Sequence, residues 1–159
     1  MANRKILIAG GGTGGHLFPA LAIGEEIHRR EPKAKVHYVG SNFGLEARVF
    51  PVKDVWHTLL PIRGFQRGIS FQSIGPNILL PGRIIRSMLK VRSLLNNFLP
   101  DVVVGTGGYA SALPLYMAFK KEEPLPIVLQ EQNSFPGITT RWFAQKAKAV
   151  CLAFSEANN

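Results

Sequence analysis

The chain has 159 residues, of which 46% are hydrophobic and 18% charged, enough for one domain with an apolar core; this composition excludes a disordered or low-complexity protein. Nineteen Lys and Arg against ten Asp and Glu leave a net charge of +9, a surplus that favours an anionic partner such as nucleic acid, an acidic membrane face or a phosphorylated ligand. The single cysteine, Cys151, excludes a disulfide framework and suits a reducing compartment.

The N-terminal run MANRKILIAG is too short for a secretory signal or a membrane span, and no other stretch approaches the roughly 20 apolar residues that spanning requires. The cytoplasm is therefore the expected location. A first strand is predicted at Lys5–Ala9 (KILIA), followed by five glycines within residues 10–15 and then His16. Each glycine costs about 0.5–1 kcal/mol of backbone entropy relative to alanine, so the run marks a place where the chain must approach something closely. Strand, glycine loop and helix together aim backbone N–H groups and a positive helix end at an anion. A helix is expected over about 16–30, with Pro19 in its opening turn and Arg29 and Arg30 at its end ahead of Pro32. A positive helix end at His16 favours the neutral ring that a general base requires.

Gly10, Gly12 and Gly15 satisfy G-x-G-x-x-G, so a nicotinamide-binding oxidoreductase domain is one candidate. That reading needs an acidic residue ending the second strand. The strand predicted at Lys35–Val39 runs on as GSN without one, and Glu46 comes too late to meet a ribose. A helix over 43–50 and a strand at Val55–Leu60 follow. Then comes a helical stretch over 72–98, in which Ile84, Met88, Val91, Leu95 and Phe98 recur at helical spacing, widened by Ile85, Leu89 and Leu94. One face this broad reads mostly as core. Around its start, Phe71, Ile74, Ile78, Leu79 and Leu80 lie among Gly and Pro with Arg83 and Arg86 near by, a combination suited to shallow insertion into an anionic membrane surface.

A strand at Asp101–Gly105 leads into a second glycine turn, Gly107-Gly108-Tyr109, and a helix over 109–121. Tyr109 and Ser111 are placed there to bind a sugar or phosphate, although a tyrosine opening a helix is as often simply packed. After the strand at Pro126–Gln130 come Glu131, Gln132 and Asn133, polar groups that suit sugar hydroxyls. A helix over 137–147 and a strand at Ala149–Ala153 complete the pattern, in which Cys151, set in AVCLAF, reads as a small buried hydrophobe. Apolar strands interleaved with helices predict an α/β fold, a Rossmann-like parallel sheet with helices on both faces. The chain stops without a closing helix, as a cut between domains would leave it. No metal-ligand spacing links His16, His28, His37 and His57, the last three reading as structural or surface groups, so neither metal nor other cofactor is expected.

Taken together, GGTGGHLFPALA, GTGGYASALP and LQEQNSFPGITTRWFAQKA resemble the MurG family of glycosyltransferases over essentially the whole chain. The resemblance implies the N-terminal half of a GT-B glycosyltransferase, residues 1–159 forming the acceptor and membrane-side domain, with a C-terminal donor-nucleotide domain lying outside it. It implies inverting transfer of N-acetylglucosamine from UDP-N-acetylglucosamine to the 4-hydroxyl of N-acetylmuramic acid in lipid I, giving lipid II, at the cytoplasmic face of the bacterial membrane. It further implies His16 as general base, Thr13, Gly14, Gly15 and Asn133 toward the donor sugar, Gly107, Gly108 and Tyr109 toward the acceptor diphosphate, and Glu131 and Gln132 in support. Gln130 departs from the family, which usually has His there, and Thr140 stands where Asn is common. The isolated domain is expected not to turn over. Two other classes stand beside this one: a noncatalytic membrane-docking subunit of a split GT-B enzyme, and the nicotinamide-binding domain. Nucleic-acid binding rests on charge alone and ranks last.

Overall fold

The computed structural model describes residues 3–64 and 79–158. Its six strands form one parallel sheet in the order β3-β2-β1-β4-β5-β6. In chain order the elements are β1 (Lys5–Gly10), α1 (Gly14–Arg30), β2 (Lys35–Ser41), α2 (Glu46–Val52), β3 (His57–Leu60), α3 (Leu80–Phe98), β4 (Val102–Gly107), α4 (Tyr109–Phe119), β5 (Ile127–Glu131), α5 (Ile138–Phe143) and β6 (Ala149–Leu152). Short 3-10 turns occupy Ala144–Lys146 and Ser155–Asn158. The α/β class, the number of strands and the parallel pairing agree with the sequence pattern.

Alternation along β1 explains the two-sided cover. Leu7 and Ala9 enter one core with Val91, Leu95 and Phe98 of α3, Leu115 and Ala118 of α4 and Phe143 of α5. Ile6 and Ile8 enter the other, with Leu17, Ala20 and Leu21 of α1 and Phe50 of α2. Because successive strand side chains point to opposite faces, a strand buried on both sides must be apolar throughout. Each fully buried Leu or Ile in these layers contributes roughly 1.5–3 kcal/mol.

Several expected boundaries move. Helix α1 begins at Gly14, so Pro19 sits inside it and not in its opening turn; Arg29 and Arg30 do fall in the last turn, where both also pair with Glu26 at 2.7 and 2.6 Å. Strand β4 runs on to Gly107, carrying Thr106 into the sheet. The last helix breaks at Phe143 into a 3-10 turn. Helix α3 ends at Phe98 and is capped by Leu99, whose φ of 52° is left-handed, just before Pro100. Of its broad apolar stripe only part is core. Val91, Leu95 and Phe98 are buried, whereas Ile85 and Leu89 are 59% and 64% exposed. Cys151 is exposed too, because β6 is an edge strand with uncovered residues.

Of the structural histidines, His37 is buried in β2, with Nε2 2.8 Å from Thr58 Oγ1 and its ring packed on Trp56 and Phe98. Burial, aided by the neighbouring His57, pushes its pKa down to about 4. The unfolded chain therefore binds this proton first. The contribution of this group is full above pH 6.5 or so, is lost as pH falls toward 4, and changes no further below that; the shift caps it at about 3 kcal/mol. Urea unfolding across this range should show the slope, and His37→Gln should flatten it.

Candidate active site

Reversal of the strand order between β1 and β4 opens a crevice at the carboxyl edge of the sheet, which is where open α/β sheets bind ligands. Both glycine turns sit there, and Gly10 pairs with Gly107 across the two strands. Gly107 and Gly108 have φ of 98° and 76°, a conformation side chains resist. A Cβ on Gly107 would also lie 2.7 Å from His16 Nδ1. The second glycine turn is thus shaped by the imidazole it packs against.

His16, in the first turn of α1, is fastened to β4 twice. Its Nδ1 lies 3.0 Å from the Thr106 carbonyl oxygen, and the Thr106 hydroxyl donates to the His16 carbonyl at 2.8 Å. Thr106 is fully buried, so this contact is shielded from water. A third neighbour, the Gln132 amide, reaches Nδ1 from the end of β5 at 2.6 Å. His16 lines a cavity of about 520 Å³ together with Arg63, Leu80, Ile84, Gly108, Tyr109, Glu131 and Trp142. A carbonyl can only accept, so this contact favours the ring proton on Nδ1, which leaves Nε2 with its lone pair.

The first glycine turn is organised by a residue that spacing had set aside. Glu46 is completely buried. Its carboxylate accepts the Gly12 N–H at 2.9 and 3.1 Å and the Ser41 N–H at 2.7 Å, tying the loop to the end of β2. The Glu46 carboxyl thus occupies a donor that a dinucleotide phosphate would need. This contact argues against the nicotinamide reading. The only signal in the sequence is an acid opening a helix just after β2; nothing in its spacing points to Gly12, 34 residues away.

Tyr109 is half-buried. Its hydroxyl donates to Ser41 Oγ at 3.3 Å, and Gly12 and Gly64 leave room for its ring. Ser111, expected to meet ligand, is fully buried and donates to the Gly108 carbonyl at 2.9 Å. Thr13 caps α1 with extended backbone and an exposed side chain, and Gly15 beside it is exposed as well.

Glu131 builds the third polar tip. It takes hydrogen bonds from the Thr140 hydroxyl at 2.6 Å, the Gly137 N–H at 2.9 Å, and the Asn133 side chain and N–H at 2.9 and 3.1 Å. Burial raises its pKa; these four bonds outweigh that and hold the carboxyl below its ordinary range. Its place is structural: it folds the turn and ties down Asn133, itself exposed. Thr140 satisfies the same carboxylate, so its departure from Asn is accommodated.

Phe71, Ile74 and Ile78 lie outside the described residues. Leu79 is 58% exposed and Arg86 is exposed. Leu80 turns instead into the His16 cavity, and the Arg83 guanidinium stacks 4.9 Å over the Phe43 ring.

A parallel sheet with two glycine turns meeting a helix-borne histidine at its switch point defines a Rossmann-like domain. Residues 6–152 match the glycosyltransferase family 28 N-terminal domain, and the chain belongs to that family. It is 42% identical over 153 residues to the UDP-N-acetylglucosamine--N-acetylmuramyl-(pentapeptide) pyrophosphoryl-undecaprenol N-acetylglucosamine transferase of Chlorobaculum tepidum, covering 96% of this chain and 42% of that protein. The enzyme of the same name from Bacillus subtilis is 37% identical over 155 residues, with 98% and 41% covered. The chain therefore spans about two fifths of the length of these relatives. Among solved structures, Acinetobacter baumannii MurG superposes with a TM-score of 0.76 at 24% identity, covering 98% of this chain and 43% of that one. The calicheamicin glycosyltransferase CalG4 follows at 0.51 and 18%, covering 93% and 38%. Both structures share the fold.

Proposed function

We propose that the chain is the acceptor half of a GT-B glycosyltransferase that moves N-acetylglucosamine from UDP-N-acetylglucosamine to the 4-hydroxyl of N-acetylmuramic acid in lipid I, giving lipid II. The observation that carries this is His16, held by Thr106 and facing a cavity at the sheet's switch point. In the proposed step the 4-hydroxyl oxygen attacks the anomeric carbon while its proton passes to His16 Nε2. The carbon–oxygen bond to UDP breaks, its electron pair leaves with the diphosphate, and the anomeric centre inverts. Thr13, Gly14, Gly15 and Asn133 are assigned to the donor sugar, and Gly107, Gly108 and Tyr109 to the acceptor diphosphate. The family identity and the relatives' names support the substrates. Donor nucleotide contacts are assigned to a C-terminal domain, so the 159 residues alone are expected not to turn over.

The test is transfer of labelled sugar to a lipid I analogue, by this chain alone and by it joined to a C-terminal donor domain. Transfer only by the joined protein supports the reading. No transfer by either sends the assignment to the noncatalytic docking subunit.

Docking on the cytoplasmic face of the membrane as a peripheral protein belongs to the same proposal. None of the described helices is long and apolar enough to cross a membrane. Leu79, Ile85 and Leu89 are exposed, and Arg86, Lys90 and Arg92 lie among them on α3. Each cation near an anionic surface adds about 1 kcal/mol. Sedimentation with anionic vesicles should fall about tenfold in an Ile85→Gln, Leu89→Gln double variant and weaken with salt, while neutral vesicles bind poorly.

A further inference from the structure

We infer that Gln132 is a positioning residue whose side-chain oxygen accepts the His16 Nδ1 proton and so fixes the ring in the tautomer that leaves Nε2 unprotonated. This rests on the reading of His16 as the base. Two groups compete for one ring nitrogen: the Thr106 carbonyl at 3.0 Å and the Gln132 amide at 2.6 Å. In a neutral ring a given nitrogen is a donor or an acceptor, never both. The Thr106 carbonyl has no hydrogen to give, so its contact favours a proton on Nδ1. An amide N–H turned toward it would set donor against donor.

The amide resolves this by presenting its oxygen. Oxygen and nitrogen of a glutamine occupy interchangeable positions, and the hydrogen-bond network decides between them. Nothing on the far side resists the turn, since Oε1 there meets no donor among the described residues. With Oε1 inward, the Nδ1 proton is shared between two acceptors, one from β4 and one from β5.

The arrangement also explains why one acceptor is not enough. A ring flip would exchange Nδ1 for a carbon and move the Nε2 lone pair to a different place. Thr106 holds His16 from one strand only, through the backbone and the ring. Gln132 adds a second strand, and its own position is set by the Glu131 turn, whose carboxylate binds Asn133, Gly137 and Thr140. The base is thus aimed by the polar tip of β5, 116 residues further along the chain.

Imidazole nitrogen-15 NMR of the 159-residue chain, above the pH at which the ring titrates, reads the tautomer directly. The expected result is a proton on Nδ1 in the native chain and in Gln132→Glu, whose carboxylate only accepts, and mixed tautomers in the similarly shaped Gln132→Met. In the protein joined to a donor domain, Gln132→Met should lower kcat about 3–10-fold with KM unchanged, and Gln132→Glu should restore it. A native proton on Nε2, or a Gln132→Met spectrum like the native one, overturns the inference. The spectra do not depend on turnover, so full transfer by a His16→Ala variant would remove the base reading separately.

Discussion

Replacing His16 by alanine should lower sugar transfer by about 10²–10⁴-fold in the protein joined to a donor domain, the range expected for loss of a general base. The fall should appear in kcat, because the ring is proposed to act on the proton of the attacking hydroxyl more than on donor binding. Stability should drop only by about 1 kcal/mol, the worth of the bond to the Thr106 carbonyl. A His16→Asn variant sharpens the test. Its amide N–H keeps a donor toward Thr106 and offers no basic nitrogen, so it should fold like the native chain and be as slow as the alanine variant. Transfer within threefold of native by either variant would take His16 out of the chemistry.

The second large effect concerns Glu46. Its carboxylate satisfies the Gly12 and Ser41 N–H groups at 2.7 to 3.1 Å from a position with no exposure to water. Truncation to alanine leaves both donors unpaired and a void where the side chain stood, so a loss of about 3–5 kcal/mol is expected. For a domain of this size that corresponds to a midpoint roughly 10 °C lower. Glu46→Gln keeps one acceptor and turns an N–H toward the donors, and should fall between the two. Because the loop it anchors carries Thr13 and leads into His16, the Gln variant should also transfer sugar more slowly at temperatures where it is fully folded. Thermal unfolding within 2 °C of native for Glu46→Ala would show that the loop holds its shape without the buried anion.

Much of the molecule is written in local pattern. Lys5–Ala9 and Lys35–Val39 read as strands because they are apolar on both faces, and both are strands. The two glycine turns and the polar tip after β5 fall where backbone freedom and hydrogen-bonding side chains cluster. Boundaries slipped where tertiary contacts outweigh propensity. Thr106 and Gly107 join β4 because Gly10 lies alongside and pairs with Gly107 across a register shift that skips Thr106, and α1 starts two residues early because Thr13 already turns its carbonyl to His16 and Leu17. On α3, Ile85 and Leu89 have the same hydrophobicity as Val91 and Leu95, and spacing alone does not tell which will meet the sheet.

The sequence by itself determined the α/β class, the order of strands and helices, the glycine turns and the resemblance to a glycosyltransferase family, because all of these are carried by residue type and short-range spacing. Only the tertiary structure decided that β1 and β4 lie side by side, that Thr106 and Gln132 converge on one nitrogen of His16, and that Glu46 closes the first glycine turn. Those contacts join residues 90, 116 and 34 positions apart. No local pattern encodes such distances; the packing of the whole sheet does.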